Sequence, residues 1–114
     1  MSDCIFCKIA THQLNAQIVY EDDDFLAFKD INPAAPVHVL LIPKLHFDSL
    51  LDLGVQQADL AARLLITATK VARQLGVAEE GFRTVINTGS NGGQTVHHLH
   101  LHLLGGRFMT WPPG

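Results

Sequence analysis

The chain has 114 residues, 47% of them hydrophobic, and a formal net charge of −3. That length suits one domain spanning 1–114 with a modest core, and that hydrophobic content excludes a disordered chain. The negative charge argues against nucleic acid or an anionic membrane as partner, since both need a basic face.

Cys4–Ala10 carries Ile5, Phe6 and Ile9, a spacing that suits a short amphipathic helix. Ile18–Tyr20 and Phe25–Phe28 are expected as two strands joined by the acidic turn Glu21–Asp24. Asp30–Pro36, with two prolines, is expected as a loop. Val37–Ile42 is an apolar strand, too short to cross a bilayer, with one polar member, His38, and it stops at Pro43. Ala61, Leu64, Leu65, Ala68, Val71, Ala72 and Leu75 recur at helical steps and predict a long helix capped by Gly76. Phe82–Asn87 then reads as a strand, Thr88–Gln94 as a glycine-rich loop and Val96–Leu104 as the last strand. Short connections among the strands favour an antiparallel sheet with helical cover, an α+β domain. No signal-peptide pattern opens the chain, so the expected compartment is the cytoplasm.

The last strand holds His98, His100 and His102, spaced by two, so an extended backbone projects all three from one face and Leu99, Leu101 and Leu103 from the other. His97 faces away from the three. A neutral imidazole is a good nucleophile at phosphorus, a neighbour can fix its tautomer, and another can handle the leaving-group proton. His100, flanked on both sides, is the natural nucleophile. The rival reading is a metal site, because two imidazoles on one strand face can share a zinc. The glycine-rich loop runs straight into this row, and such loops turn amides toward bound phosphate.

Gly92–Leu104 resembles the signature of the histidine-triad (HIT) proteins, three alternate histidines each followed by an apolar residue. Ile5–Ile9, Phe28–Pro33, Ala35–His38, Ile42–Lys44 and Val85–Asn87 look like the same family in the same order. The ending, Leu104–Arg107 and Trp111–Gly114, is similar to its histidine-triad nucleotide-binding (Hint) branch. The resemblance implies a HIT-like fold, a five-stranded antiparallel sheet with one long and one short helix, paired in a homodimer. It implies a purine nucleoside phosphoramidase that splits the P–N bond of adenosine or guanosine 5′-phosphoramidates through a nucleotidyl-histidine. His100 would be the nucleophile, His102 would contact phosphate, His38 would orient His100, and His98 would sit near the leaving group or in support. Asn87, Gly93, Thr95 and the backbone of Gln94–Val96 would hold phosphate. Asp30 would bind the ribose, Ile31, Phe6, Ile9 and Phe28 would surround the base, and Trp111 would reach the partner's site. That scheme requires no metal. His97 departs from the family, which usually has an aromatic there, and Thr95 stands where Ser is common.

Cys4 and Cys7 form a CxxC, two thiols with the spacing of half a tetrahedral zinc site. Some bacterial relatives complete such a site with a histidine after the central-strand Pro-Lys and with the first triad histidine. Those positions are His46 and His98, which makes a structural zinc an expectation; the bland alternative is two reduced, partly buried cysteines. Three competing functions also stand: a dinucleoside polyphosphate hydrolase, a nucleotide-binding module with incidental catalysis, and a zinc hydrolase whose triad holds the metal.

Overall fold

Alternation of side chains along two central strands divides this protein into two cores. The computed structural model describes residues 3–114. Its strands are β1 (Ile18–Glu21), β2 (Phe25–Lys29), β3 (Val37–Pro43), β4 (Phe82–Val85) and β5 (Leu101–Gly105). They form one antiparallel sheet in the order β1-β2-β3-β5-β4. Helix α2 (Ala58–Gln74) covers one face and the short helix α1 (Ile5–Ala10) the other. The expected α+β architecture, one long and one short helix on a five-stranded antiparallel sheet, is therefore observed.

On the α2 face, Val39 and Leu41 of β3 meet Leu101 and Leu103 of β5 and Leu64, Ala68, Val71 and Ala72 of the helix. On the α1 face, Leu40 and Ile42 join Leu26, Phe28, Phe6 and Ile9. A strand's side chains change face with each residue, so a one-residue slip of β5 would turn its leucines out and His102 in. Burying each leucine contributes about 1.5–3 kcal/mol, which pins the register that presents the histidines.

Helix α2 ends as its sequence suggests. Gly76 has φ 78°, its N–H donates to the Arg73 carbonyl, and the Val77 N–H donates to Ala72, a paired closure that favours glycine. Val77 then packs against Gly105, where a Cβ would stand 2.8 Å from the valine. The apolar stripe differs in one member. Leu65 is exposed while Thr67 is buried, because the buried face runs through 64, 67, 68, 71 and 72 and leaves 65 about a quarter of a turn from its centre.

The last strand is shorter than its sequence suggests. Regular pairing covers only Leu101–Gly105, and residues 96–100 lie outside it. On one side β4 has ended at Val85; on the other β3 runs on through Ile42 and Pro43, opposite His100 and Leu99, without ladder pairing. Alternation survives without the ladder, since Leu99 enters the α2-side core and its N–H donates to the Phe47 carbonyl at 2.7 Å. No helix among the described residues is long and apolar enough to cross a membrane.

Candidate active site and metal centre

His102 on β5 is paired with Leu40, and His38 on β3 with Leu104, so the two imidazoles are diagonal neighbours on the α1 face. His38 Nε2 lies 3.0 Å from His102 Nδ1, and the Ala34 N–H donates to His38 Nδ1 at 3.0 Å. The direction of this chain follows from its first member. Nδ1 of His38 accepts, so a neutral His38 carries its proton on Nε2 and donates it to His102 Nδ1. His102 must then carry its own proton on Nε2 and present it as a donor. Asp30 Oδ2 stands 3.4 Å from His38 Nε2, while Asp30 Oδ1 accepts the Asn32 N–H. Burial, reinforced by His100 and His38, holds His102 down at about 4, so the ring is neutral at pH 7.

His100 has the complementary tautomer. Its Nδ1 lies 2.7 Å from the carbonyl oxygen of His98, which can only accept, so a neutral His100 carries its proton on Nδ1 and leaves the Nε2 lone pair free. The ring is 5% exposed and stands between the edge of Phe6, at 5.1 Å, and His102, at 5.1 Å. His38 was expected to orient His100, and the structure corrects this. The diagonal register gives His38 to His102, and the backbone of His98 holds His100 instead.

Of the two places expected for His98, near a leaving group or among the candidate zinc ligands, its ring takes the second. It is fully buried, its Nε2–H donates to the Pro43 carbonyl at 2.8 Å, and its Nδ1 points into a cluster with Cys4, Cys7 and His46. Burial lowers its affinity for a proton. Its Nδ1 lies 3.3 Å from Cys4 Sγ, 3.5 Å from Cys7 Sγ and 3.1 Å from His46 Nδ1; Cys7 Sγ lies 3.3 Å from His46 Nδ1. Zinc at ordinary bond lengths separates adjacent tetrahedral ligands by roughly 3.3–3.8 Å, close to this spacing.

The protonation pattern independently fits a cation. His46 Nε2 donates to Asp48 Oδ1 at 2.6 Å, as His98 Nε2 does to Pro43, so in the neutral rings both Nδ1 atoms carry lone pairs, 3.1 Å apart. Burial and the neighbouring Cys4 push the Cys7 thiol up to about 11, and a cation in the cluster would favour its thiolate. These four residues would hold a metal with two thiolates and two imidazoles, a donor set that suits zinc.

The remaining expected site residues divide into two groups. Phe6, Ile9 and Phe28 form part of the α1-side core, with Phe6 and Phe28 edge to face, and Val96 packs against it. Ile31 is 92% exposed at the mouth of the Asp30 loop. In the glycine loop Asn87 Nδ2 donates to the Gly92 carbonyl, and Gly93 has φ 80°. Gln94 was expected to offer its backbone to phosphate, but its N–H donates to Gly89 and its side chain braces the loop. Among the described residues, the Thr95 and Val96 N–H groups have no protein acceptor. Trp111 stands apart, exposed, with the Arg83 guanidinium 6.0 Å over its ring. His97 is exposed and lines a concavity of about 900 Å³ beside the Cys/His cluster, together with Lys8, Asp48 and Thr95.

Reading the sequence missed the backbone half of this site: Ala34 N–H, the Pro43 and His98 carbonyls, and the Phe47 carbonyl. None has a side-chain signature. Asp48 was also missed, and its place two residues after His46 was the available signal.

This geometry has close counterparts. Residues 11–109 match the HIT domain family. The chain is 51% identical over 114 residues to the 14 kDa zinc-binding protein of Brassica juncea, covering 98% of this chain and 100% of that protein. It is 52% identical over 116 residues to adenylylsulfatase HINT1 of Arabidopsis thaliana, covering 99% of this chain and 78% of that one. Among solved structures, a HIT family hydrolase from Legionella pneumophila superposes with a TM-score of 0.96 at 52% identity, over 98% of this chain and 100% of that one. Sequence, sheet topology and histidine row agree, and the chain belongs to the HIT family.

Proposed function

We propose that this protein hydrolyses purine nucleoside 5′-phosphoramidates through a covalent nucleotidyl-His100. The observation that carries the reading is the tautomer pattern. His100 offers a free Nε2 lone pair with its Nδ1 proton anchored, beside a His102 that is held as an Nε2–H donor. In the first step the His100 Nε2 pair bonds to the α-phosphorus. The P–N bond breaks, its electrons go to nitrogen, and the amine departs with a proton. Water then attacks phosphorus, the P–Nε2 bond returns its pair to His100, and the water proton goes to solvent. His102 Nε2–H and the free Thr95 and Val96 amides would stabilise the phosphoryl oxygens. With His102 neutral and its Nε2–H given to the phosphoryl oxygens, the amine nitrogen carries in the proton it leaves with.

Asp30 is positioned to take ribose hydroxyls, and Phe6, Ile9, Phe28 and Ile31 to border the base. The Cys4, Cys7, His46 and His98 cluster would bind zinc as a structural centre, supplying cross-links between α1, the segment after β3 and the histidine row. A homodimer would cover exposed apolar side chains such as Leu65, Ile66 and Trp111.

Hydrolysis of adenosine 5′-phosphoramidate by wild type and His100→Ala, each with and without a chelator, tests the reading. Turnover should survive chelation and fall at least about a thousandfold in the variant. Adenylyl sulfate makes a useful second substrate, since the name of the Arabidopsis relative points to it and sulfate leaves without a proton. Its hydrolysis should be the less sensitive to rising pH. Unchanged turnover in His100→Ala would sink the covalent mechanism, and loss on chelation without unfolding would favour the zinc-hydrolase alternative.

A further inference from the structure

His46, Phe47 and Asp48 are consecutive, and each bonds to a different part of the site. His46 Nδ1 belongs to the Cys/His cluster. The Phe47 carbonyl accepts the Leu99 N–H at 2.7 Å, fixing the backbone between His98 and His100. Asp48 is bonded on both sides. Its Oδ1 accepts the His46 Nε2–H at 2.6 Å, and its carbonyl accepts Gln94 Nε2 at 2.7 Å. Gln94 is what closes the glycine loop. Its Oε1 takes the Gly89 N–H at 3.0 Å, its own N–H donates to the Gly89 carbonyl at 3.0 Å, and Nε2 also donates to the Val96 carbonyl at 3.0 Å. A second carboxylate, Asp52, accepts the Asp48 N–H at 2.8 Å and holds the residue from behind.

We propose that Asp48 is a positioning residue that couples a zinc-type cation in the Cys4–Cys7–His46–His98 cluster to closure of the glycine loop beside His100. A cation that draws on the His46 Nδ1 pair makes Nε2–H a stronger donor, and the bond to the Asp48 carboxylate tightens. The Asp48 carbonyl is carried by the same residue, so fixing the side chain fixes the acceptor for Gln94. The effect then reaches Gly89, Val96 and, through Phe47, Leu99. Thermodynamic linkage makes the coupling reciprocal: whatever factor the cation adds to affinity for a phosphate in the loop, the phosphate adds to affinity for the cation. The nucleotide part rests on the function proposed above; the coupling of cluster to loop does not.

Amide hydrogen exchange tests it directly, on the protein loaded with Zn²⁺ and on the protein stripped by a chelator. Exchange at Gly93, Gln94 and Leu99 should quicken by about tenfold or more on stripping, while core positions Leu64 and Val71 of α2 keep their protection. Asp48→Asn, which removes the charge and keeps the carbonyl, should bind Zn²⁺ about 10–100-fold more weakly. Saturated with Zn²⁺, it should still show the fast loop exchange of the stripped wild type, and Asp48→Glu should recover part of the protection. A loaded Asp48→Asn variant with a loop as protected as wild type overturns the proposal, even if stripping unfolds the protein. In a second arm, adenosine 5′-monophosphate is titrated with and without Zn²⁺, and Zn²⁺ with and without the nucleotide. Equal ratios of about threefold or more are expected. A nucleotide affinity indifferent to Zn²⁺ overturns the coupling to ligand; a nucleotide that binds neither form overturns the proposed function, and the exchange arm still decides the coupling of cluster to loop.

Discussion

Acid should weaken this protein through His102 in particular. The folded ring titrates at about 4, against 6.5 for an ordinary imidazole, chiefly because it is buried and secondly because His100 and His38 stand beside it. Between those values the unfolded chain binds a proton that the folded chain refuses. Stability from this group is therefore fully present above 6.5 and is lost as pH falls toward 4. From pH 7 to 5 a shift of that size corresponds to about 2 kcal/mol, and screening at a half-exposed ring lowers it to about 1 kcal/mol. Urea denaturation of chelated wild type and His102→Gln at pH 7, 6 and 5 measures the difference; chelation keeps acid release of metal out of the comparison. Wild type should lose about 1 kcal/mol more than the variant over that range. His98, whose proton affinity burial also lowers, is present in both proteins and cancels. Parallel pH dependences in the two proteins would refute the assignment of His102 as a ring kept neutral by its surroundings.

Two further perturbations probe separate links between sequence and site. His38→Phe keeps a ring between Ala34 and His102 but removes both hydrogen bonds, so His102 loses its fixed tautomer. The rate of the proposed phosphoramidase reaction should fall about tenfold to a hundredfold with a stability change near 1 kcal/mol, and nitrogen chemical shifts of His102 should move toward a tautomer mixture; wild-type shifts in the variant would contradict the relay. Gly105→Ala places a Cβ 2.8 Å from Val77 in the α2-side core. Thermal unfolding should show a loss of about 1–3 kcal/mol, and an unchanged melting temperature would mean the α2–β5 contact yields more easily than its packing implies.

Sequence alone determined the two-faced character of the molecule. Strict alternation from His98 to Leu103 puts leucines and histidines on opposite sides whether or not the residues pair in a ladder, because extended backbone has a period of two. The stripe on α2 and the glycine at its end are local properties of the chain as well, legible without any partner. The family signature, read from the same residues, indicated which histidines to group and which cysteines to set beside His46. Tertiary structure decided what those histidines do. His38 reaches His102 rather than His100 because β3 and β5 pair in one register, and no local pattern contains that register. His98 turns into the Cys/His cluster because Pro43, at the end of β3, offers it a carbonyl acceptor. The tautomers of His100 and His102, on which the proposed chemistry depends, are set by a backbone carbonyl and a backbone amide. Every residue carries those groups, so the chain could reveal their roles only by folding them against particular rings.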